Sequence, residues 1–332
     1  MTAKPRRIVI TTPTFDAGAH ALIREAGFEA VHRAAPSDGT LPDGDVTELL
    51  RDAEGWIVGQ SHVTSDVLER FPRIKVVSRR GVGHDRVDLA AARRAGVVVT
   101  IAAGGNDASV ADHAVALMLA VLRRLRETQS EMERGVWRIL TSHDLYRKTV
   151  GIVGLGRVGR SVVKRLAGFE CRVLVYTRTP PSSGAGADNA LTFVDLATLL
   201  RESDVVSVHT PLTDATEFMI DASAIGSMKP SSILVNVGRG GVVNDRDLLE
   251  ALRGGRIAGA GLDVFASESL PGFADVTKEL VSLPNVVASP HAAASSAESL
   301  ARTDMLAAAA AVAVLNGSGL PAEQVVADGR RP

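Results

Sequence analysis

Short runs rich in Val and Ile recur along almost the whole chain, with helix-patterned segments between them. The runs stand at 8–12, 55–58, 74–78, 97–101, 149–153, 172–176, 205–209, 233–237, 258–262 and 286–289, and segments such as 88–95 and 159–166 carry helical spacing. This alternation predicts βαβ units and mainly parallel sheets. Aromatic residues are only 4% of the chain against 45% hydrophobic overall, so the cores must be built from Val, Leu, Ile and Ala. That suits buried parallel strands under Ala-rich helices. Nearly every run ends in Gly, Ser, Thr, His, Asn or Arg. In a doubly wound sheet the ligand crevice lies beyond the carboxyl ends of the strands, where these polar residues gather.

At 332 residues the chain is long enough for two domains. A faint internal repeat supports two related halves. LLRDAEGWIV at 49–58 resembles LLRESDVVSV at 199–208, and each is followed by an apolar run and an Arg/Gly loop, RRGVG at 79–83 and GRGG at 238–241. Two doubly wound domains are expected, with their loops facing each other across a cleft. The segment AAGGN at 102–106 reads as a hinge, and Asn106, Asp107 or Ser109 as caps for the long helix expected over 107–128. The stretch 180–186 reads as a surface loop, and an Ala-rich helix after His291 as a crossing back to the first domain.

The charge balance, 37 basic against 38 acidic side chains, supplies no field for nucleic acid or an anionic membrane. No stretch approaches a membrane span, and the apolar run after Arg7 is too short for a signal peptide. One cysteine, Cys171, fits a reducing, cytoplasmic compartment and reads as a packing residue. No Cys/His cluster has metal-ligand spacing, so no metal is expected.

The segment VGIVGLGRVG at 150–159 sets Gly154, Gly156 and Gly159 in dinucleotide-binding spacing, after an apolar strand and before a helix. Gly154 permits the turn, Gly156 lets the backbone approach a pyrophosphate, and Gly159 lets helix and strand close together. The helix N-terminus offers unpaired N–H groups to the phosphates. Leu155, Arg157 and Val158 complete this loop. An NAD site would place Asp or Glu after the next strand, but Thr177, Arg178 and Thr179 stand there. A guanidinium can pair with a 2′-phosphate, so the reading leans to NADP(H) over NAD(H).

Three further strand ends, NVGRGG at 236–241, LDVFASE at 262–268 and SPH at 289–291, join the glycine loop. With GVGHDRVD at 81–88, 106–112 and HTPLT at 209–213, they resemble the D-2-hydroxyacid dehydrogenases over nearly the full chain. The resemblance implies two Rossmann-like α/β domains: a discontinuous, flavodoxin-like substrate domain at 1–101 with 295–332, and an NAD(P)-binding domain at 102–294. It implies hydride transfer between a D-2-hydroxy acid and its 2-oxo acid, and a homodimer. The family also includes dinucleotide-binding corepressors, a scaffold alternative that the full Arg/Glu/His set argues against.

By this resemblance Arg239 would bind the substrate carboxylate through its forked guanidinium. His291 would donate a proton to the developing alkoxide, and Glu268 would hydrogen-bond the other ring nitrogen. Taken singly these residues are ordinary: an Arg after a strand is usually a cap, and a Glu is usually solvated. Glu268 also lies in ASES, where the family usually shows Glu-Pro. His209, Thr210, Pro211, Thr216, Val237, Gly238 and Asp263 fall around the cofactor, with His209 and Asp263 read as structural or cofactor-adjacent. Arg79, Gly81, Val82, Gly83 and Asn106 fall around the substrate. Arg79 matches an Arg of the phosphoglycerate members, whereas the NADP-like loop points to glyoxylate or hydroxypyruvate. His84 replaces an apolar residue, Asp112 stands where Glu is common, and His113 reads as a helix-face residue. The chain ends at Pro332 without room for an added regulatory domain.

Overall fold

Strands this short and this apolar on both faces need a helix layer on each side, and the chain builds that arrangement twice. In the computed structural model, which describes residues 6–34, 45–179 and 191–330, the backbone divides into two compact units. These are Met1–Asn106 with Ser295–Pro332, and Asp107–Ala294. In chain order the strands are β1 (Arg7–Ile10), β2 (Glu29–His32), β3 (Gly55–Val58), β4 (Val76–Arg79) and β5 (Val98–Ile101). Then come β6 (Thr149–Val153), β7 (Arg172–Tyr176), β8 (Leu191–Phe193) and β9 (Val205–Val208). The last are β10 (Ile233–Asn236), β11 (Gly259–Leu262), β12 (Val286–Ala288) and β13 (Val325–Ala327).

The first unit holds the sheet β13-β5-β4-β3-β1-β2, parallel throughout except for β13, which runs antiparallel to β5. The Ala-rich helix Ala297–Leu315 belongs to this unit and lays Ala307, Ala308, Ala311 and Leu315 against Ile8, Ile57, Val76 and Val98. Small side chains let it sit low enough for Ser78 Oγ to donate to Ala307 O at 2.9 Å.

The second unit holds the fully parallel sheet β12-β11-β10-β9-β6-β7-β8. Here the helix Asp107–Leu122 closes directly on β11. A Cβ at Gly261 would lie 2.9 Å from Leu117 Cβ, and one at Gly259 would lie 2.8 Å from Val121 Cγ1, so glycine makes this approach possible. In both units the strand order reverses next to the first strand, between β1 and β3 and between β6 and β9. The two copies of the sequence repeat end in β3 and β9, the strands at these reversals.

The helix expected over 107–128 is broken. It stops at Leu122, Arg124 takes a left-handed conformation (φ 53°), and a second helix runs Leu125–Glu133. The apolar face that buries the first helix ends at Leu122, and Arg124 then turns back to pair with Glu127 at 2.6 Å. Three strands were not expected: β2, β8 and β13. All are edge strands, only partly buried, and either carry polar residues or are just three residues long. The stretch 180–186 lies outside the described residues. Among the described residues no helix is long and apolar enough to cross a membrane.

Candidate active site

The carboxyl ends of β6, β7 and β9 to β12 form one continuous row of loops in the second unit. At the reversal, β6 turns out through Gly154, whose φ of +98° few side chains tolerate. Gly156 caps the helix Arg157–Leu166 with no side-chain bond, and a Cβ there would meet nothing within 4 Å. A Cβ at Gly159 would lie 2.3 Å from Gly154 O, so the helix packs on the turn only because that residue is glycine. Leu155 is buried in the core, leaving only its backbone to face a ligand. Val158 is half-buried, and Arg157 is exposed and pairs with Asp107 at 2.8 Å.

Beside this loop His209 and Thr210 leave β9. His209 Nε2 meets Ser207 Oγ at 2.9 Å, whereas His209 Nδ1 and Thr210 Oγ1 are closed off from solvent without a partner. Burial pushes the His209 pKa down to about 4, so its ring is neutral near pH 7. Pro211 is exposed, and its carbonyl accepts Thr216 Oγ1 at 2.7 Å, which closes the 211–216 turn on itself. After β7, Thr177 is half-buried while Arg178 and Thr179 are exposed, with no carboxylate among them. An open helix N-terminus beside two orphaned polar atoms suits a dinucleotide: its phosphates would find unpaired N–H groups, and the atoms would gain partners.

Further along the row, the loop after β10 carries Arg239. Its backbone is braced by Asn236, whose Oδ1 accepts Gly238 N at 3.0 Å and whose Nδ2 donates to Arg239 O at 3.1 Å. Val237 is buried beneath it. A Cβ at Gly238 would lie 2.8 Å from Thr210 O, and one at Gly240 only 1.9 Å from Phe265 O. The Arg239 loop therefore lies against both neighbouring loops.

The loop after β11 supplies two carboxylates with different work. Asp263 is buried and accepts Ser289 Oγ at 2.6 Å, Ala292 N at 2.8 Å and Ala293 N at 2.9 Å. Its own carbonyl accepts His291 N at 2.7 Å. This clamp holds His291 at φ +54°, a conformation costing a non-glycine residue about 1–2 kcal/mol. Glu268 ends the short turn Ala266–Glu268, where its Oε1 accepts Phe265 N at 2.9 Å and its Oε2 lies 2.6 Å from His291 Nδ1. Burial works to raise the Glu268 pKa. The hydrogen bonds from His291 and Phe265 N and the charges of His291 and Arg239 outweigh it, so Glu268 sits below its ordinary value. With Nδ1 engaged by Glu268, Nε2 is the ring nitrogen of His291 left for another partner, and the Arg239 charge acts on the same Glu268.

Sequence reasoning did not single out several supporting residues. Asp245 is buried behind the Glu268 turn and accepts Ala266 N at 2.8 Å. Burial first, then the charge of Glu268, pushes its pKa up to about 6 against the Ala266 bond. Ser289 and His113 meet at 2.8 Å, so His113 is more than a helix-face residue. Asp112 pairs with Arg165 on the surface. Among the first unit's candidates, Arg79 is buried and its Nε donates to Gly83 O at 2.9 Å, bracing the turn through Gly81 (φ +136°), Val82 and Gly83. His84 Nδ1 lies 3.4 Å from Val82 O. Asn106 Oδ1 is buried without a partner, so it does not serve as a helix cap.

A dinucleotide loop, an Arg loop and a Glu–His pair on successive strands narrow the candidates to one chemistry. The family profile described as "D-isomer specific 2-hydroxyacid dehydrogenase, NAD binding domain" matches residues 115–293. The chain belongs to this family. It is 37% identical to a hydroxypyruvate reductase of Thermotoga maritima over 265 residues, 79% of this chain and 85% of that one. It is also 37% identical to a glyoxylate reductase of Thermococcus litoralis over 260 residues, 75% of this chain and 77% of that one. Among solved structures, the TT0316 protein of Thermus thermophilus superposes with TM-score 0.84 at 35% identity, covering 96% and 99% of the two chains. A D-lactate dehydrogenase of Aquifex aeolicus, solved with NAD and lactic acid, superposes with TM-score 0.79 at 27% identity, covering 94% and 96%. As a member of this 2-hydroxyacid dehydrogenase family, the protein is an oxidoreductase that uses a nicotinamide dinucleotide to interconvert 2-hydroxy and 2-oxo acids.

Proposed function

We propose that this dehydrogenase reduces small, unphosphorylated 2-oxo acids of the glyoxylate and hydroxypyruvate kind, preferring NADPH to NADH. The observation that carries the reaction is the 2.6 Å contact of Glu268 with His291 beside the Arg239 loop. Arg239 binds the substrate carboxylate and helps polarise the ketone. His291 Nε2 donates a proton to the oxygen as negative charge develops there, and takes one back in the oxidative direction. Glu268 fixes the ring through its contact with Nδ1. When bound, the dinucleotide supplies the hydride that adds to the carbonyl carbon. Gly154 to Gly159 would hold its phosphates, and His209 and Thr210 would supply further polar partners beside that loop.

Two observations support the unphosphorylated class. Arg79, the residue that would favour a phosphate, is buried with its Nε committed to Gly83 O. A hydroxypyruvate reductase and a glyoxylate reductase at 37% identity are matched over 85% and 77% of their lengths, whereas a D-3-phosphoglycerate dehydrogenase at the same identity is matched over only 53% of its length. The preference for NADPH rests on Arg178 standing where a ribose-binding carboxylate would repel a 2′-phosphate.

The protein works as a homodimer in the cytoplasm. Leu125, Met132, Trp137 and Ile139 stand 54%, 52%, 84% and 97% exposed on one segment, an apolar surface that an isolated protomer would rarely leave in water. Burial pushes the lone Cys171 thiol up to about 11, which suits a reduced, inert side chain.

The test is absorbance loss of NADPH and of NADH with glyoxylate, hydroxypyruvate and phosphohydroxypyruvate. Turnover of the first two with NADPH is expected. A preference for the phosphorylated acid would overturn the substrate class, and no turnover with tight dinucleotide binding would overturn the reaction. Scattering that gives a monomeric mass would refute the dimer.

A further inference from the structure

We propose that His113 and Ser289 are positioning residues of this reaction, forming with Asp263 a one-directional hydrogen-bond chain that sets where His291 presents its Nε2. The inference rests on the reading of His291 as the proton donor.

The direction of the chain follows from counting protons. Asp263 is buried and already accepts two backbone amides, Ala292 N and Ala293 N, so its carboxylate acts as an acceptor. The third contact, Ser289 Oγ at 2.6 Å, must therefore use the single hydroxyl proton of Ser289. Committed in this way, the serine oxygen can only accept from its other neighbour, His113 Nε2 at 2.8 Å. His113 must then carry a proton on Nε2, whichever state Nδ1 is in. Every donor and acceptor has one role, and the chain has no alternative arrangement that keeps both contacts.

What the chain secures is a turn with little local reason to hold. His291 sits at φ +54°, with its amide bound to the Asp263 carbonyl at 2.7 Å, and Ser289, two residues before it, and Ala292, directly after it, are tied to the carboxylate of the same residue. His113 projects from the helix Asp107–Leu122, which is packed against β11 and is rigid on the scale of a side chain. The imidazole also lies 3.6 Å from Asp263 Oδ1 and closes that side of the carboxylate. Without His113, Ser289 Oγ keeps its bond to Asp263 but loses the second partner that fixes it, and one side of the Asp263 carboxylate opens. His291 then samples positions from which Nε2 no longer meets the ketone oxygen.

The experiment compares His113→Leu, Ser289→Ala and His113→Gln with the parent enzyme and with His291→Ala, using glyoxylate and NADPH. His113→Leu fills the space but donates nothing, whereas the amide nitrogen of Gln reaches the place of Nε2. His113→Leu and Ser289→Ala are expected to lose about tenfold or more in kcat, with KM and NADPH affinity within about twofold of the parent. His113→Gln is expected to recover most of kcat. Parent-like kcat in His113→Leu and Ser289→Ala would overturn the inference, as would losses of kcat, NADPH affinity and melting temperature in step, without rescue by Gln. Full turnover in His291→Ala would instead remove the reading on which the inference rests.

Discussion

Glu268 Oε2 lies 2.6 Å from His291 Nδ1 while its Oε1 accepts the Phe265 amide at 2.9 Å, so the carboxylate is pinned at both ends. Neither residue can turn without breaking a short bond. In Glu268→Gln the size and the Phe265 contact persist, but the negative charge beside the imidazole is gone. The expected result is a fall in reductive kcat of about ten- to a hundredfold at pH 7. In the parent Glu268 stays ionised to below the ordinary glutamate range, so its contribution is present above that range and is lost only as pH falls through the lowered value. Steady-state profiles of both proteins from pH 4.5 to 9 provide the check.

Arg239 has a different signature. Its loop is braced by Asn236 and wedged between the loops of Thr210 and Phe265, so the guanidinium is presented from a fixed backbone. Lysine keeps the charge but not the planar fork that matches a carboxylate. Arg239→Lys should raise KM for the 2-oxo acid by about tenfold or more, with NADPH affinity within about twofold of the parent. A changed dinucleotide affinity with unchanged KM would place Arg239 at the cofactor instead.

The glycine loop allows a contrast between two identical substitutions. Gly156→Ala adds a Cβ to open space in an ordinary backbone conformation, so folding should be untouched. If the phosphates approach there, NADPH affinity should fall at least tenfold. Gly159→Ala places its Cβ 2.3 Å from Gly154 O, which the loop must move to accommodate, at about 1–3 kcal/mol. Thermal unfolding and NADPH titration separate the two: binding lost with stability kept in the first, both lost in the second.

How far the sequence could be read depends on which physical signal each element carries. The bounds of Gly55–Val58, Thr149–Val153 and Arg172–Tyr176 follow from the runs themselves, because strands buried on both faces are apolar throughout. Glu29–His32 carries no such run, since edge strands leave part of their surface to water, and in Val325–Ala327 the run is only three residues long. Arg239, Glu268 and His291 were legible because each ends or follows a strand in a matched order. Their supports were not: Ser289 and His113 are 176 residues apart, and Asp245 meets Ala266 across 21. Such pairs exist only once the sheet has brought the loops together. The break at Arg124 was hidden because the charged residues there are as compatible with a helix as those before them.

Two buried groups in the second unit should pull stability in opposite directions as pH changes. His209 falls from 6.5 to about 4 on folding, so between those values the unfolded chain binds the extra proton. Its contribution is complete above pH 6.5 and declines by about 3 kcal/mol as the pH drops to 4. Asp245 rises from 3.8 to about 6, so there the folded chain holds the proton. Its contribution is complete below pH 3.8 and declines by a similar amount as the pH rises through 6. Asp245→Asn keeps an acceptor for Ala266 N without the buried charge. Relative to the parent it should therefore gain stability at pH 7, with the difference shrinking to nothing by about pH 4. His209→Asn should instead flatten the loss on acidification. Urea unfolding of the three proteins at half-unit steps from pH 4 to 7.5 decides the matter. Parallel curves for parent and Asp245→Asn would mean that Asp245 is already ionised without penalty in the fold.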